Sequence, residues 1–363
     1  MSALSGGLLD PPSAGDDTAE LRALVDELGR RSFEARLGQR GVPEKFDSEL
    51  WRNLEETGLA RLTNAPDPGA GPVESAVVLY GVARHAGAVP IAETDLLAAW
   101  LGQRIGLELP SGPLTVAIAD TDVVGGRVKG VATDVPWTQA CAAVLLVVRT
   151  PTEVRIGILN PNDAQVQNGL RPGHNLAGEP RDRLTFDVVA DRLHSVDPAL
   201  AVELVRRGAW ARCVQIVGAL DAAAALSADH AQQRVQFGRP LSKFQAVQHA
   251  LAAMAGDIER ARAATNLAIS AAAEHGFASA QTDFAVTVAK VTVGRVAGAV
   301  TTIAHQLHGA IGVTAEHPLW LATMRAQSWA TDYGSTAHYA RRLGRLALAA
   351  PDPWDVLIGN STS

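Results

Sequence analysis

The sequence predicts a mainly α protein with a central β domain, and three observations carry that prediction. Residues 18 to about 110 have amphipathic helical periodicity. From 111 to about 196 this gives way to short β-branched runs broken by Gly, Pro, Asp and Asn. From 197 to about 350 long Ala-rich helical stretches return, beyond the usual globular helix length. The expected architecture is an N-terminal helical domain (18–110), an antiparallel β-barrel-like middle domain (111–196) and a C-terminal four-helix bundle (197–350). Residues 1–17 and 351–363 read as tails.

Composition narrows the function classes. The chain has 363 residues, 47% hydrophobic and 19% charged, enough for two or three subdomains around a large core. A net charge of −6 without a basic run argues against nucleic acid as a partner. Cys141 and Cys213 are too few for a disulfide framework or a metal site and fit a reducing compartment. The start lacks a basic region followed by an apolar one, so no secretory signal is read there. The longest uncharged apolar run, Ala140 to Val148, is about half a membrane span. The expectation is a cytoplasmic protein that does not enter a membrane.

Each element has its own signal. Leu21, Leu24, Val25 and Leu28 mark one face of a first helix. In FDSELWRNLEETGLARL, Asp47 or Ser48 is a plausible N-cap and Gly58 a stop. A Pro/Gly loop follows, then helices in VESAVVLYGVARHAG and ETDLLAAWLGQRIG. The runs LTVAIAD, GRVKGVATDV, CAAVLLVVRT, EVRIGIL and RLTFDVV read as strands. No helix-length segment separates them and no GxGxxG occurs, which excludes a βαβ dinucleotide fold. Four long helical segments then follow, joined by short turns.

The corner between the first two bundle helices, RVQFGRPLSKFQAVQH, carries unusual chemistry. Pro240 disfavours helix at Arg239, and Gly238 can take positive φ. Arg234 can complement a helix C-terminal dipole, Phe237 and Phe244 can close the corner, and Gln245 can cap the next helix. The same guanidinium and rings near a fresh helix N-terminus also suit a pyrophosphate with an attached adenine. Residue types alone leave both readings open.

These stretches resemble the acyl-CoA dehydrogenase family. RVQFGRPLSKFQAVQHALAAM is similar to the family's Arg-x-x-Phe-Gly turn and following helix. QLHGAIGVTAEHPL, from Gln306 to Leu319, is similar to its Gln-x-x-Gly-Gly-x-Gly segment, with Ala310 in place of the second glycine. FDSELWRNLEETGLARL resembles its N-terminal helix pair, so the resemblance spans nearly the whole chain. It implies an FAD enzyme acting on acyl-CoA thioesters, in which a carboxylate removes the α proton and the flavin takes hydride from the β carbon. It also implies that Arg234 meets the pyrophosphate of a neighbouring subunit's FAD. Phe237, Phe244 and Gln245 would line its adenosine side, and Gln306 and Gly309 would meet the same cofactor.

Under the same resemblance the base is missing. The family's Tyr-Glu-Gly-Thr turn is matched by TDYGST, where Tyr333 and Thr336 fit but Gly334 replaces the glutamate. Some members carry the glutamate 26 residues before the turn arginine; here that position is Gly208. Asp332 and Glu203 are the substitutes considered, with a solvated surface role as the plainer reading of each. The family's flavin-contacting segment at the start of the β domain is also absent from LTVAIADTDVVGG. Trp137 either stacks on flavin or packs in the β domain.

The resemblance therefore implies no catalytic residue in this chain and a glutamate-bearing acyl-CoA dehydrogenase paralogue as partner. The pattern resembles actinobacterial-type α2β2 heterotetramers acting on steroid side-chain CoA thioesters. Two competing readings are a self-sufficient homomer using Asp332 or Glu203, and a non-enzymatic scaffold. No metal is expected: His305 and His308 lie on one helix, but no Glu-x-x-His accompanies them. Trp51, Trp100, Trp210, Trp320 and Trp329 read as packing, and Arg341, Arg342 and Arg345 as a solvated or anion-facing cluster.

Overall fold

The computed structural model describes residues 18–38, 41–64, 69–314 and 316–358. The expected N-terminal tail and the last five residues lie outside them. Helix α1 (Ala19–Arg36) packs on α3 (Pro72–Arg84), with α2 (Ser48–Glu56) beside them. Asp47 caps α2 by accepting from Leu50 N, and Gly58 stops that region at φ 75°. The next helix opens as a π turn, Glu93–Ala99, and continues as α4 (Trp100–Arg104). The π turn buries Glu93 and Asp95, an arrangement periodicity does not reveal.

The middle region departs from the expected closed antiparallel shape. It forms two four-stranded sheets, and no barrel closes among the described residues. One sheet has the order β1 (Leu114–Asp120), β4 (Ala143–Arg149), β5 (Val154–Leu159), β8 (His194–Val196). The other has β2 (Val123–Val124), β3 (Arg127–Pro136), β7 (Arg181–Val189) and β6 (Leu170–Arg171), the last preceded by the short helix α5 (Ala164–Gly169). Strands β1 and β4 pair in parallel, Leu114 opposite Ala143. The reason is topological: the chain leaves β1 to build the β2–β3 hairpin in the second sheet and returns in the original direction. Every residue of β4 from Ala143 to Val148 is buried. Val144, Leu146 and Val148 face the second sheet, while Ala143, Leu145 and Val147 join the core shared with the helices. A strand covered on both faces needs a continuous apolar run, and AVLLVV supplies it.

The C-terminal helices are α6 (Pro198–Gln233), α7 (Gln245–His275), α8 (Ala280–His308), α9 (Leu319–Trp329) and α10 (Thr336–Ala349). The corner before α7 contains the two-residue strands β9 (Val235–Gln236) and β10 (Arg239–Pro240). The fourth bundle segment is thus two helices, broken at the TDYGS turn. The expected C-terminal tail contains a further short helix, α11 (Pro353–Ile358). Trp210 is fully buried and its indole N–H donates to Ala268 O at 3.1 Å, tying α6 to α7. Residues 198–233 and 280–313 are long and apolar enough to cross a membrane by composition alone. About two thirds of each apolar window is buried inside the protein (67% and 61%), as expected of bundle-core helices.

Candidate functional site

The corner forms because α6 runs out of helix at Arg234, whose N–H still bonds to His230 O at 2.9 Å. Val235–Gln236 then pairs with Arg239–Pro240 in a two-residue hairpin. Its central residues, Phe237 (φ 51°) and Gly238 (φ 79°), both take positive φ, as a tight right-twisting hairpin demands. The sequence showed the break at Gly238 but not the left-handed Phe237. A non-glycine residue there costs about 1 kcal/mol, and such strain concentrates at functional positions. Phe237 is 92% exposed, so little packing among the described residues offsets the cost.

Around that tip the side chains are organised. The Phe237 and Phe244 rings meet edge-on at 6.2 Å, and the Arg239 guanidinium lies 4.2 Å from the Phe244 ring centre. With its amide turned to satisfy both groups, Gln236 accepts from Arg234 at 2.9 Å. Arg239 and Gln236 were not singled out by sequence; the hairpin pairing that places them is the signal that was missed. Arg234 and Gln245 are exposed, and α7 begins at Gln245 with Phe244 as its N-terminal flank.

The second expected stretch lies at the same end of the bundle. Gln306 is exposed in the last turn of α8, and Gly309 ends that helix at φ 63°. The His230 ring of α6 stacks on the His308 ring of α8 at 4.4 Å, which joins the corner to the QLHGAIG turn. Two surface clefts, of about 550 and 770 Å³, are lined by none of Arg234, Phe237, Phe244, Gln245, Gln306 or Gly309. Arg234, Phe237, Gln245, Gln306 and Gly309 are exposed at this end of the bundle, and Phe244 is half-buried.

A different arrangement surrounds Gly208 and Gly334. The Tyr333 ring lies directly against Gly208: a Cβ there would stand 2.6 Å from Tyr333 Cγ and Cδ1. Gly334 has φ 111°, and a Cβ there would meet Tyr339 Cε2 at 2.8 Å. Beside them runs a buried ionic network. Arg212 of α6 bonds to Glu93 Oε1 (2.5 Å) and to Asp332 Oδ2 (2.8 Å), and Arg181 of β7 reaches Asp332 at 3.2 Å and Glu179 at 3.3 Å. Arg325 of α9 continues it to Glu44 at 2.6 Å, and Glu44 meets Arg36 of α1 at 3.2 Å. The network joins the N-terminal helices, the sheets and the bundle at one junction.

The electrostatics decide what Asp332 can do. Burial alone would raise its pKa, but the Arg181 and Arg212 guanidinium groups outweigh that and hold the carboxyl below its ordinary value. Its backbone oxygen also accepts from Lys290 Nζ at 2.8 Å. A general base benefits from a pKa near the working pH, and this group is pushed the other way. Glu203 is paired to Arg207 at 2.9 Å, and the Arg207 guanidinium is sandwiched 4.2 Å from the centres of both Trp100 and Phe277. Neither carboxylate is the solvated surface group the sequence suggested: both are structural ion-pair partners. Trp137 is 3% exposed, packed with Ala88, Cys141 and Phe46, which favours packing over an open stacking face.

Comparison with known proteins agrees with this layout. Residues 199–345 match the acyl-CoA dehydrogenase C-terminal domain. The acyl-CoA dehydrogenase FadE27 of Mycobacterium tuberculosis is 28% identical over 95% of this chain and 96% of its own. Residues 199–345 belong to the acyl-CoA dehydrogenase family, and the chain as a whole is similar to its members in sequence and fold. Among solved structures, the ChsE4–ChsE5 complex from Mycobacterium tuberculosis superposes with a TM-score of 0.78 at 24% identity, covering 93% of this chain and 99% of that one. A variant of the Tcur3481–Tcur3483 steroid acyl-CoA dehydrogenase matches with the same score, identity and coverage. The resemblance read from the corner and the QLHGAIG turn therefore holds at the level of family and fold.

Acyl-CoA dehydrogenases are FAD-dependent oxidoreductases. The exposed corner fits the nucleotide end of that cofactor in chemical terms. Arg234 offers a cation to a diphosphate, Phe237 and Phe244 offer ring faces to a purine, and Gly309 lets backbone approach closely. The junction at Gly208 and Tyr333 is already filled by this chain's own side chains.

Proposed function

We propose that this chain is the non-catalytic subunit of a heteromeric FAD-dependent acyl-CoA dehydrogenase. It lends Arg234, Phe237, Phe244, Gln245, Gln306 and Gly309 to the adenosine-diphosphate end of an FAD whose reactive ring is held by a partner. The partner is a glutamate-bearing paralogue, which removes the α proton of the acyl-CoA thioester. FAD, when bound, accepts the hydride from the β carbon. The observation that carries this reading is the packing of Tyr333 on Gly208. Both positions where the family resemblance expects a glutamate are glycines with no room for a side chain, and the two nearby carboxylates are tied to arginines.

Further support comes from the solved structures it resembles, a two-protein complex and a steroid acyl-CoA dehydrogenase. By that analogy the assembly is an α2β2 heterotetramer acting in the cytoplasm on a bulky steroid side-chain CoA thioester. The chemistry of this chain is then binding and orientation: Arg234 neutralises diphosphate charge, and the ring pair excludes water from the purine.

The test is co-expression with such a paralogue. About one FAD per heterodimer is expected, with the lone chain nearly colourless and inactive. In the assembled complex, Arg234→Ala and Gln306→Ala should each lower FAD occupancy. Unchanged occupancy in both would remove the cofactor role and leave a scaffold; full colour and turnover in the lone chain would restore a self-sufficient enzyme.

A further inference from the structure

Four imidazoles gather where α6 and α8 end. His230 of α6 stacks on His308 of α8 at 4.4 Å with ring planes 24° apart. His317, just ahead of α9, meets His308 edge-on at 4.8 Å and lies 6.4 Å from His230. His305, one turn before His308, bonds to Thr323 of α9 at 2.9 Å. His317 Nδ1 accepts from Leu319 N at 3.1 Å, which fixes the entry into α9.

The bonding of His308 is specific. Its Nδ1 lies 2.8 Å from Ala304 O and donates to it, which leaves Nε2 on the far side of the ring. That Nε2 is buried without a partner, and the residue is only 6% exposed. His305 Nδ1 is likewise buried and unpartnered. The four rings do not form a metal site: no group of three or more ligating side chains among the described residues is arranged to hold an ion.

The stack sits between the two cofactor-facing turns. Arg234 is one turn beyond His230, while Gln306 and Gly309 flank His308 in the chain. We infer that His230, His308 and His317 form a proton-sensitive joint that sets the spacing of these turns, held together while neutral and parted by protonation. The identity of the turns as cofactor-facing rests on the function proposed above; the joint itself rests on the ring geometry.

Charge around the joint favours the neutral state. Arg234, just past the end of α6, and His308 itself are the positive or potentially positive neighbours of His230, and His308 is that of His305. Asp229 and Glu316 adjoin His230 and His317 in the chain, but no carboxylate is bonded to His230 or His308 among the described residues. Burial, then His308, then Arg234 lower the pKa of His230, and burial followed by His308 lowers that of His305. A histidine with a lowered folded pKa is neutral in the fold above its unfolded value, near 6.5. Its contribution is present above that pH and is lost as pH falls through the folded value.

The full-length chain, without cofactor, tests this by hydrogen exchange at pH 7.5 and 5.5, corrected for intrinsic exchange. Segments 228–241 and 305–314 should lose protection several-fold on acidification, the direction that the lowered pKa of His230 requires. His230→Phe keeps a stacking ring but removes the group whose pKa is lowered and should markedly weaken the pH dependence; His308→Phe serves if that variant does not fold. Equal wild-type protection at both pH values would overturn the joint, as would a phenylalanine variant that loosens as much as wild type. FAD titrated into the assembled complex with Arg234→Ala reads the cofactor role separately, so either idea can fail while the other stands.

Discussion

Installing a glutamate at position 208 is the most direct challenge to the subunit assignment. The added Cβ would fall 2.6 Å from Tyr333 Cγ, 2.6 Å from Cδ1 and 2.7 Å from Cδ2, more than half an ångström inside ordinary contact. Tyr333 has little freedom to retreat: its φ is 54°, and its carbonyl accepts from the Tyr339 hydroxyl at 3.0 Å. Overpacking of this kind costs about 1–3 kcal/mol. Replacing a helical glycine recovers about 1 kcal/mol of backbone entropy. Gly208→Ala should therefore lose up to about 2 kcal/mol, lowering Tm by up to about 3 °C in a chain of this size. Gly208→Glu should lose more, because its carboxylate enters a junction where Arg212 is already shared between Glu93 and Asp332. Calorimetry and an acyl-CoA turnover assay with an artificial electron acceptor read both properties. An unchanged or raised Tm for Gly208→Ala would show that Tyr333 has room to move. Turnover by the lone Gly208→Glu chain would show that only the base was missing, and would refute the argument from filled space.

Three other outcomes follow from the same coordinates. Arg212→Met should cost about 3–5 kcal/mol in urea unfolding, since it strands Glu93, whose side chain is 3% exposed; combining it with Glu93→Gln should cost less than the sum of the two. Asp95 has its pKa raised to about 6, chiefly by burial, with Thr63 and Asn64 donating to it. A raised carboxyl favours the fold below its unfolded pKa and loses that contribution as pH rises through 6, by up to about 3 kcal/mol; Asp95→Asn should flatten this slope between pH 4 and 7. Asp332 behaves oppositely. Its lowered pKa contributes stability above the ordinary carboxyl range that is lost as pH falls through the folded value, so Asp332→Asn should weaken the neutral fold and shrink the acid limb of a stability–pH curve.

Local chemistry made much of the fold legible. Asp47 caps α2 and Gly276 ends α7 where the residue types indicated, and LTVAIAD and AVLLVV became strands because β-branched runs suit a doubly covered sheet. The corner was legible for the same reason, since Gly238 before Arg239–Pro240 leaves few backbone solutions. What escaped was long-range. The parallel β1–β4 pairing depends on a hairpin donated to a second sheet, and the break between α9 and α10 on a turn held by Tyr339.

The amino-acid order alone determined which groups this protein has available: a cationic, aromatic turn, a matching glycine-bearing helix end, and glycines where its family resemblance expects a carboxylate. Those are properties of residues and their neighbours in the chain. Only the tertiary structure decided how they are used. It laid Tyr333 across Gly208, spent Asp332 on Arg181 and Arg212, and stacked His230 on His308 so that two turns far apart in sequence share one end of the bundle. The physical reason is that burial and charge pairing are set by what approaches from elsewhere in the chain, and no local pattern records that approach.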